Sequence, residues 1–444
     1  MSHAISRANG GLRAELSLFG GWLLVALVLW MLIAGRWGSY VGIPANQFYI
    51  SELVLAPVCI LSLLVFRRED WKGVLLPVGF AIPLFGLLAW AIMRTAWSLS
   101  LDVMTLRDFA PYGYIVVAGL AMTLKRPGGL RYTVLAGTVF HAAWVTPLLW
   151  DSAVYAAANP IGRTRVFELR TDFDALTAGV LACSCLLLAS RSRRPLDRGL
   201  FVAAAAWSGL LVVLINNRAG FLATVAATSW TALHLYRRFS PRLARSVRRR
   251  LMAGTAALGV VLFGVVLIGT PAGQRLTETF DPDASTPSSA TAGARLHVYQ
   301  LVIDYVAESP GRVIGGVGMG PDFLTESGAT PAYDPGETLG VRSPHNFALG
   351  TLARLGVVGA ALHVAVVAIG YVLAGRLLSR PHVDELTALA ALIVVAVPVA
   401  GLVGVVLESP FGAIPYYWGY GMLLAEMTRQ RLDGDFSQTK SQQS

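Results

Sequence analysis

The chain has 444 residues, of which 55% are hydrophobic and only 14% charged, and its formal net charge is +10. A soluble domain carries about 25% charged residues, so a soluble enzyme is excluded. The basic balance does not point to nucleic acid, because basic residues in a chain this apolar report membrane topology first.

The apolar residues fall in blocks of roughly 17–25, long enough to cross about 30 Å of hydrocarbon. Unbroken blocks of that length span as helices. In chain order the predicted spans are 18–35, 47–66, 73–93, 109–124, 130–150, 173–190, 199–215, 219–236, 251–270, 347–374, 386–407 and 412–428. The expectation is an all-α polytopic membrane bundle of about twelve helices. It forms one integral membrane domain over 1–444, with a large extracytoplasmic loop, 271–344, between the ninth and tenth spans. Leu18 to Ala34 follows Arg7 and Arg13 with no small-residue cleavage site after it, so it reads as a span and not as a cleaved leader. Cys59, Cys183 and Cys185 all lie inside apolar blocks, which favours buried small hydrophobes over a disulfide framework or a zinc site.

Alternate loops collect the basic residues: Arg67, Arg68 and Lys72; Lys125, Arg126 and Arg131; Arg191 to Arg198; Arg237 to Arg250; Arg376 and Arg380. Both termini share that bias, so they are placed in the cytoplasm. The remaining basic residues, on the outer side or at membrane borders, are all arginine: Arg36, Arg94, Arg107, Arg163, Arg165, Arg170, Arg218, Arg275, Arg295, Arg312, Arg342 and Arg354. A guanidinium is a rigid fork suited to phosphate. An Arg-rich composition explains the same bias, since the chain has only Lys72, Lys125 and Lys440.

The long loop divides into parts. Asp281 to Gly293 is rich in Ser, Thr, Pro and Ala and reads as mobile. Ala294 to Glu308 is patterned as a short amphipathic helix with Leu296, Tyr299, Ile303 and Val306 on one stripe, stopped by Ser309-Pro310-Gly311. Gly315 to Gly320 is a glycine-dense turn. It lacks the Lys-Ser/Thr of a phosphate loop and the context of a dinucleotide fingerprint, so it reads as close backbone approach. Neither a metal nor a nucleotide cofactor is expected.

Ser343-Pro344-His345-Asn346 then leads into the apolar run at Phe347. Ser343 or Asn346 is a candidate cap, Pro344 suits a first turn, and His345 is expected in that turn. The positive end of the helix dipole disfavours imidazolium, which leaves a neutral imidazole able to act as a general base. A histidine that merely sits at the headgroup level is the alternative. Leu349, Leu352, Gly356 and Gly359 continue from His345 at helical spacing and are expected to turn that face into the bundle. Arg218, after Asn216-Asn217, is an intramembrane charge and hence a functional candidate, with snorkelling as the alternative. Arg163, Arg165 and Arg170 crowd another outer loop, where they can clamp a diphosphate or pair with Asp151, Glu168 and Asp172.

Together these residues resemble the O-antigen ligase and O-antigen polymerase superfamily of bacterial membrane glycosyltransferases. The resemblance covers roughly residues 205–375 and rests on Asn217-Arg218-Ala219-Gly220, Arg295 with Tyr299, Glu308-Ser309-Pro310, Gly316-Val317-Gly318-Met319-Gly320, His345-Asn346-x-x-Leu349 and Gly356-x-x-Gly359. Tyr299 departs from the family's common Trp. The resemblance implies transfer of a glycan from an undecaprenyl-diphosphate carrier to a sugar hydroxyl of a glycan or lipid-glycan acceptor. His345 would activate the acceptor, assisted by Asn346. Arg218 and Arg295 would hold the diphosphate, with Arg163, Arg165 and Arg342 as further candidates. Two other classes stand beside it: a twelve-helix secondary transporter, weakened by scarce intramembrane carboxylates (Glu52 and Glu408 lie near span ends), and a scaffold for polysaccharide assembly without chemistry.

Overall fold

The structure is a computed structural model that describes residues 2–39, 41–43, 48–65, 78–97, 102–158, 171–215, 217–239, 287–333, 342–380 and 383–441. The expected span 251–270, and Arg163, Arg165, Arg170 and Arg275, lie outside the described residues.

The described chain is helical apart from a two-residue antiparallel ladder that pairs Gly42 with Tyr49 and Ile43 with Phe48. Among the described residues, six helices are long and apolar enough to cross a membrane: Gly11–Gly35, Gly79–Trp97, Arg131–Trp150, Thr171–Arg191, Pro195–Ile215 and Phe347–Leu377. Ile50–Val65 and Glu385–Gly401 are shorter apolar helices. Arg218–Phe239 and Pro410–Ser441 run 22 and 32 residues and carry polar and aromatic side chains that dilute their apolar character. The expected span 109–124 is instead two short helices, Val103–Gly113 and Val116–Thr123. Pro111 lacks an N–H for the helical ladder, and Gly113 follows it at the break.

Thr171–Arg191 and Glu385–Gly401 are buried almost all round, as helices apolar on every side should be. They form the centre, with Tyr416, Tyr417, Trp418 and Tyr420 of the last helix fully buried beside them. Leu63, Trp97, Trp150, Leu214 and Val364 are exposed on the outside of the bundle, which is where a membrane protein meets lipid and needs no polar cover. At one end, three arginines from loops read as cytoplasmic converge on buried Glu426: Arg126 at 3.1 Å, Arg380 at 3.8 Å and Arg429 at 2.9 Å. The arrangement agrees with these loops sharing one side.

The loop helix begins at Pro287, earlier than the sequence pattern suggests, and ends at Ala307. Proline suits a first helical position because its missing N–H has no partner there anyway. Its buried face matches the expected one only in part: Val306 is buried and Tyr299 packs beside it, but Leu296 and Ile303 are not. Val298, Val302, Tyr305 and Val306 are buried, whereas Leu296 and Ile303 are 67% and 44% exposed. The helix carries apolar residues on two sides, so spacing alone admits either stripe. Docking decides: Val298, Val302 and Tyr305 pack against Phe323, Leu324, Leu349 and Ala353. At about 1.5–3 kcal/mol for each large side chain buried, this contact fixes the loop helix on the first turns of Phe347–Leu377. The Tyr305 hydroxyl also bonds the Glu326 carboxylate.

Candidate functional site

Phe347–Leu377 is two helices joined at Gly356, whose φ of 65° and ψ of −167° are non-helical. A helix interrupted there leaves the carbonyls of Ala353, Arg354 and Leu355 without their usual donors. Each is supplied from elsewhere. Val317 N–H donates to Ala353 O at 2.8 Å and Gly318 N–H to Arg354 O at 2.9 Å. The Trp90 indole N–H donates to Leu355 O at 2.9 Å. The glycine-dense turn is therefore the cap of a half-helix, which makes specific the close backbone approach expected of it. A Cβ on Gly316 would collide with the Arg354 backbone, one on Gly356 would collide with the Ile314 carbonyl, and both residues have positive φ. Glycine alone fits both sides of this contact.

The amino end of the half-helix corrects two expectations. Asn346 is the N-cap, its Oδ1 accepting the Leu349 N–H at 3.1 Å, so His345 lies before the helix and not in its first turn. The face traced from His345 to Gly359 does not exist either, because the break at Gly356 resets the helical phase. His345 is instead placed by a strained turn. With φ 55° it is the one non-glycine residue of positive φ among the described residues. Ser343 Oγ accepts its N–H at 3.1 Å. Such strain costs about 1–3 kcal/mol and is kept where the surroundings over-determine it, often at functional sites. Pro344 is buried beneath the turn.

An ion cluster anchors this turn. Asp108 is approached by Arg354 Nη1 at 2.7 Å and Arg342 Nη2 at 3.0 Å, and accepts the Gly320 N–H at 3.2 Å. Arg342 also faces Asp322 at 3.4 Å. The structure thus commits Arg342, an expected diphosphate ligand, to two carboxylates one residue before Ser343. Asp108 itself was not singled out in the sequence. The available signal was a carboxylate entering an apolar block, which calls for a partner.

On the other side of His345 and Asn346 runs the linker 402–409, and several expected residues gather on it. Arg295 Nη1 donates to the Val403 carbonyl at 3.0 Å. One turn along the loop helix, the Tyr299 hydroxyl bonds the Asn346 side chain and lies in the fields of Arg295 and Glu408. Asp172 Oδ2 lies 2.9 Å from the position a Gly404 side chain would take. Its neighbour Thr171 accepts from Asn217 Nδ2 at 3.0 Å, and Asn217 Oδ1 accepts the Gly220 N–H at 3.1 Å. Asn217 thereby caps the helix that begins with Arg218. Arg295 thus meets the linker directly, and Asp172, next to the residue that bonds Asn217, lies against it at Gly404.

Glu408 closes the linker. Its Oε1 is buried without a hydrogen-bond partner and lies 3.6 Å from where a Gly350 side chain would begin. Burial raises its carboxyl to about 7 from 4.5, against the pull of Ser343 and Arg354. Arg107, exposed on Val103–Gly113, also acts on this carboxyl. The sequence marked Glu408 only as a carboxylate near a span end and Arg107 only as one outer-side arginine.

Fold and site define a class: a polytopic helical membrane protein with a polar, arginine-bearing site at one end of the bundle, built around an interrupted helix. Residues 203–364 match the family described as O-antigen ligase. The match takes in Arg218, Arg295, His345, Asn346 and Gly356, and leaves Asp108 and Glu408 outside it. It supports a glycosyl-transfer role in surface polysaccharide assembly. No match is found among curated proteins.

Proposed function

We propose that this chain transfers a glycan from an undecaprenyl-diphosphate carrier to a sugar hydroxyl of a glycan or lipid-glycan acceptor, at the outer face of the bacterial cytoplasmic membrane and with both termini inside. The supporting observation is the strained His345 turn beside the Asn346 N-cap, with Arg295 of the loop helix anchored on the neighbouring linker at Val403. The chain acts as a single membrane unit, 1–444, with the loop 271–344 on its outer side.

The chemistry follows from the parts. The acceptor oxygen bonds to the anomeric carbon as the carbon–oxygen bond to the diphosphate breaks. The diphosphate leaves with the bonding electrons, and the hydroxyl proton passes to the His345 imidazole. Asn346, fixed by its cap bond, orients the acceptor. Arg218 and Arg295 face the growing charge on the diphosphate, with Arg163 and Arg165 as further ligands from another outer loop. Preorganised cations of this kind usually supply the largest share of such catalysis. A lipid diphosphate is its own leaving group, so this mechanism calls for no metal and no nucleotide.

The interrupted helix weighs against a transporter. Broken transporter helices use the freed carbonyls to coordinate ions, whereas those of Ala353, Arg354 and Leu355 are already capped. The test is transfer by the purified protein in proteoliposomes with a lipid-linked glycan. The wild type yields product, one addition for a ligase or a ladder for a polymerase, and His345→Ala does not. Transfer by His345→Ala at the wild-type rate would remove the assigned base, and solute uptake without any lipid-linked sugar would favour the transporter.

A further inference from the structure

The His345 turn has a feature that its proposed role does not use. Its conformation is strained, its backbone N–H is held by Ser343 Oγ, and the carboxylate of a residue on a different element, Glu408, shares the space beside Ser343-Pro344: its Oε1 lies 3.6 Å, and Pro344 Cδ 3.7 Å, from where a Gly350 side chain would begin. That carboxylate, Glu408, ends a short 3-10 turn, Val406–Glu408, between the last two apolar segments. Its surroundings are unusual for a structural acid. Most buried carboxylates sit against a cation that they neutralise. Here the nearby Arg354 is already engaged by Asp108 at 2.7 Å, and Glu408 Oε1 is buried without a hydrogen bond. An unsatisfied buried polar atom costs about 1–3 kcal/mol, so the position calls for an explanation. The groups that act on Glu408 come from every side: Arg354 on the broken helix, Asp108, Arg107 and Tyr112 on Val103–Gly113, Tyr299 on the loop helix, and Ser343.

We propose that Glu408 is a positioning residue for His345, acting through Ser343: its carboxylate braces the Ser343 hydroxyl, whose oxygen accepts the His345 N–H and holds that residue in its left-handed conformation. This rests on the reading of His345 as the acceptor-activating base. The placement explains why the linker carries an acid. The same segment takes Arg295 at Val403, so one stretch of chain sets the base from one side and a diphosphate ligand from the other. Glu408 touches neither substrate in this scheme and exchanges no proton with the acceptor. Its contribution is geometry, and a misplacement of about 1 Å at a reacting group can cost 10²-fold in rate.

The test measures kcat and KM for glycan transfer by full-length protein in proteoliposomes for Glu408→Ala, Glu408→Gln, Ser343→Ala and the double variant Glu408→Ala/Ser343→Ala. Glu408→Ala and Ser343→Ala should each lower kcat about tenfold or more while the donor KM stays within about twofold. The double variant should be no worse than either single one, because both remove the same brace. Glu408→Gln keeps an acceptor oxygen and should restore most of kcat. If Glu408→Ala fails to yield folded protein, the Gln and Ser343 variants carry the comparison. A Glu408→Ala kcat within about twofold of wild type, or Glu408 and Ser343 effects that multiply, would overturn the proposal. Glu408→Gln as inactive as a His345→Ala control would make Glu408 a proton acceptor in its own right, which also overturns it. Should His345→Ala retain full transfer, the underlying site assignment fails instead, an outcome read independently of the Glu408 series.

Discussion

Replacing Asp108 by Ala tests whether the ion cluster holds the His345 turn. The carboxylate lies between Arg354 and Arg342, whose side chains are only 8% and 15% exposed. Without it, Arg342 keeps Asp322 at 3.4 Å and the Gly320 carbonyl at 2.5 Å. Arg354 loses its one ion pair among the described residues and keeps the Phe323 ring, 5.0 Å away, and the more distant field of Glu408. Removing one member of a buried pair costs about 3–5 kcal/mol, because the other charge stays buried. At roughly 2 °C per kcal/mol for a chain of this size, the apparent Tm falls by about 6–10 °C. The Gly320 N–H also loses its acceptor, which loosens the turn that caps the half-helix. Transfer should therefore fall more than stability alone requires. Thermal unfolding in nanodiscs, followed by tryptophan fluorescence, measures the first effect, and the proteoliposome transfer rate at 20 °C below the new Tm measures the second. The double replacement Asp108→Leu/Arg354→Leu removes both charges and should recover much of the Tm. An Asp108→Ala protein that melts within about a degree of wild type would refute the view that this cluster is a buried, mutually dependent unit.

Other outcomes follow from the same geometry. Gly356→Ala must place a Cβ against the Ile314 carbonyl at φ 65°; the left-handed backbone alone costs about 1–2 kcal/mol, so folded yield and Tm should drop, whereas Gly375→Ala, with open space around it, serves as a tolerated control. Asn346→Ala loses the N-cap and about 1 kcal/mol, while Asn346→Asp keeps the cap; a comparison of their melting points checks the assignment. Arg295→Ala should reduce kcat/KM for the lipid-linked donor by about 10²-fold, and Arg295→Lys should restore little because a point charge does not reproduce the fork. Equal activity of the Lys variant would show that Arg295 serves only as general positive charge. Glu408 predicts a pH effect of defined sign. Its folded value of about 7 lies above the ordinary 4.5, so folding takes up a proton between those values and stability falls as pH rises through that window. Glu408→Gln lacks this term and should gain stability relative to wild type as pH rises from about 5 to about 8; a constant difference in melting temperature across that range would contradict it.

Some of this was readable from the amino-acid order. Long apolar blocks fix a helical membrane bundle because an unpaired backbone cannot cross hydrocarbon. Basic loops fix which segments share an end, and Arg126, Arg380 and Arg429 do meet at Glu426. The motifs from Asn217-Arg218 to Gly356-x-x-Gly359 marked the stretch that the O-antigen ligase family later matched. The glycine-dense turn announced close backbone approach, since glycine in such number has few other uses.

Tertiary structure alone decided the rest, because these features depend on partners far away in the chain. Spacing put Leu296 and Ile303 on the buried stripe of the loop helix, and docking against Leu349 and Ala353 buried Val298 and Val302 instead. Whether Phe347–Leu377 is continuous depended on donors more than thirty residues upstream, at Val317 and Gly318, and on Trp90 from another helix. Asp108 and Arg354 are separated by most of the chain, so no local pattern joins them. His345 was legible as a residue at a boundary. Its strained turn, and the Glu408 carboxylate that Ser343 faces beside it, exist only once the linker, the loop helix and the half-helix are packed together.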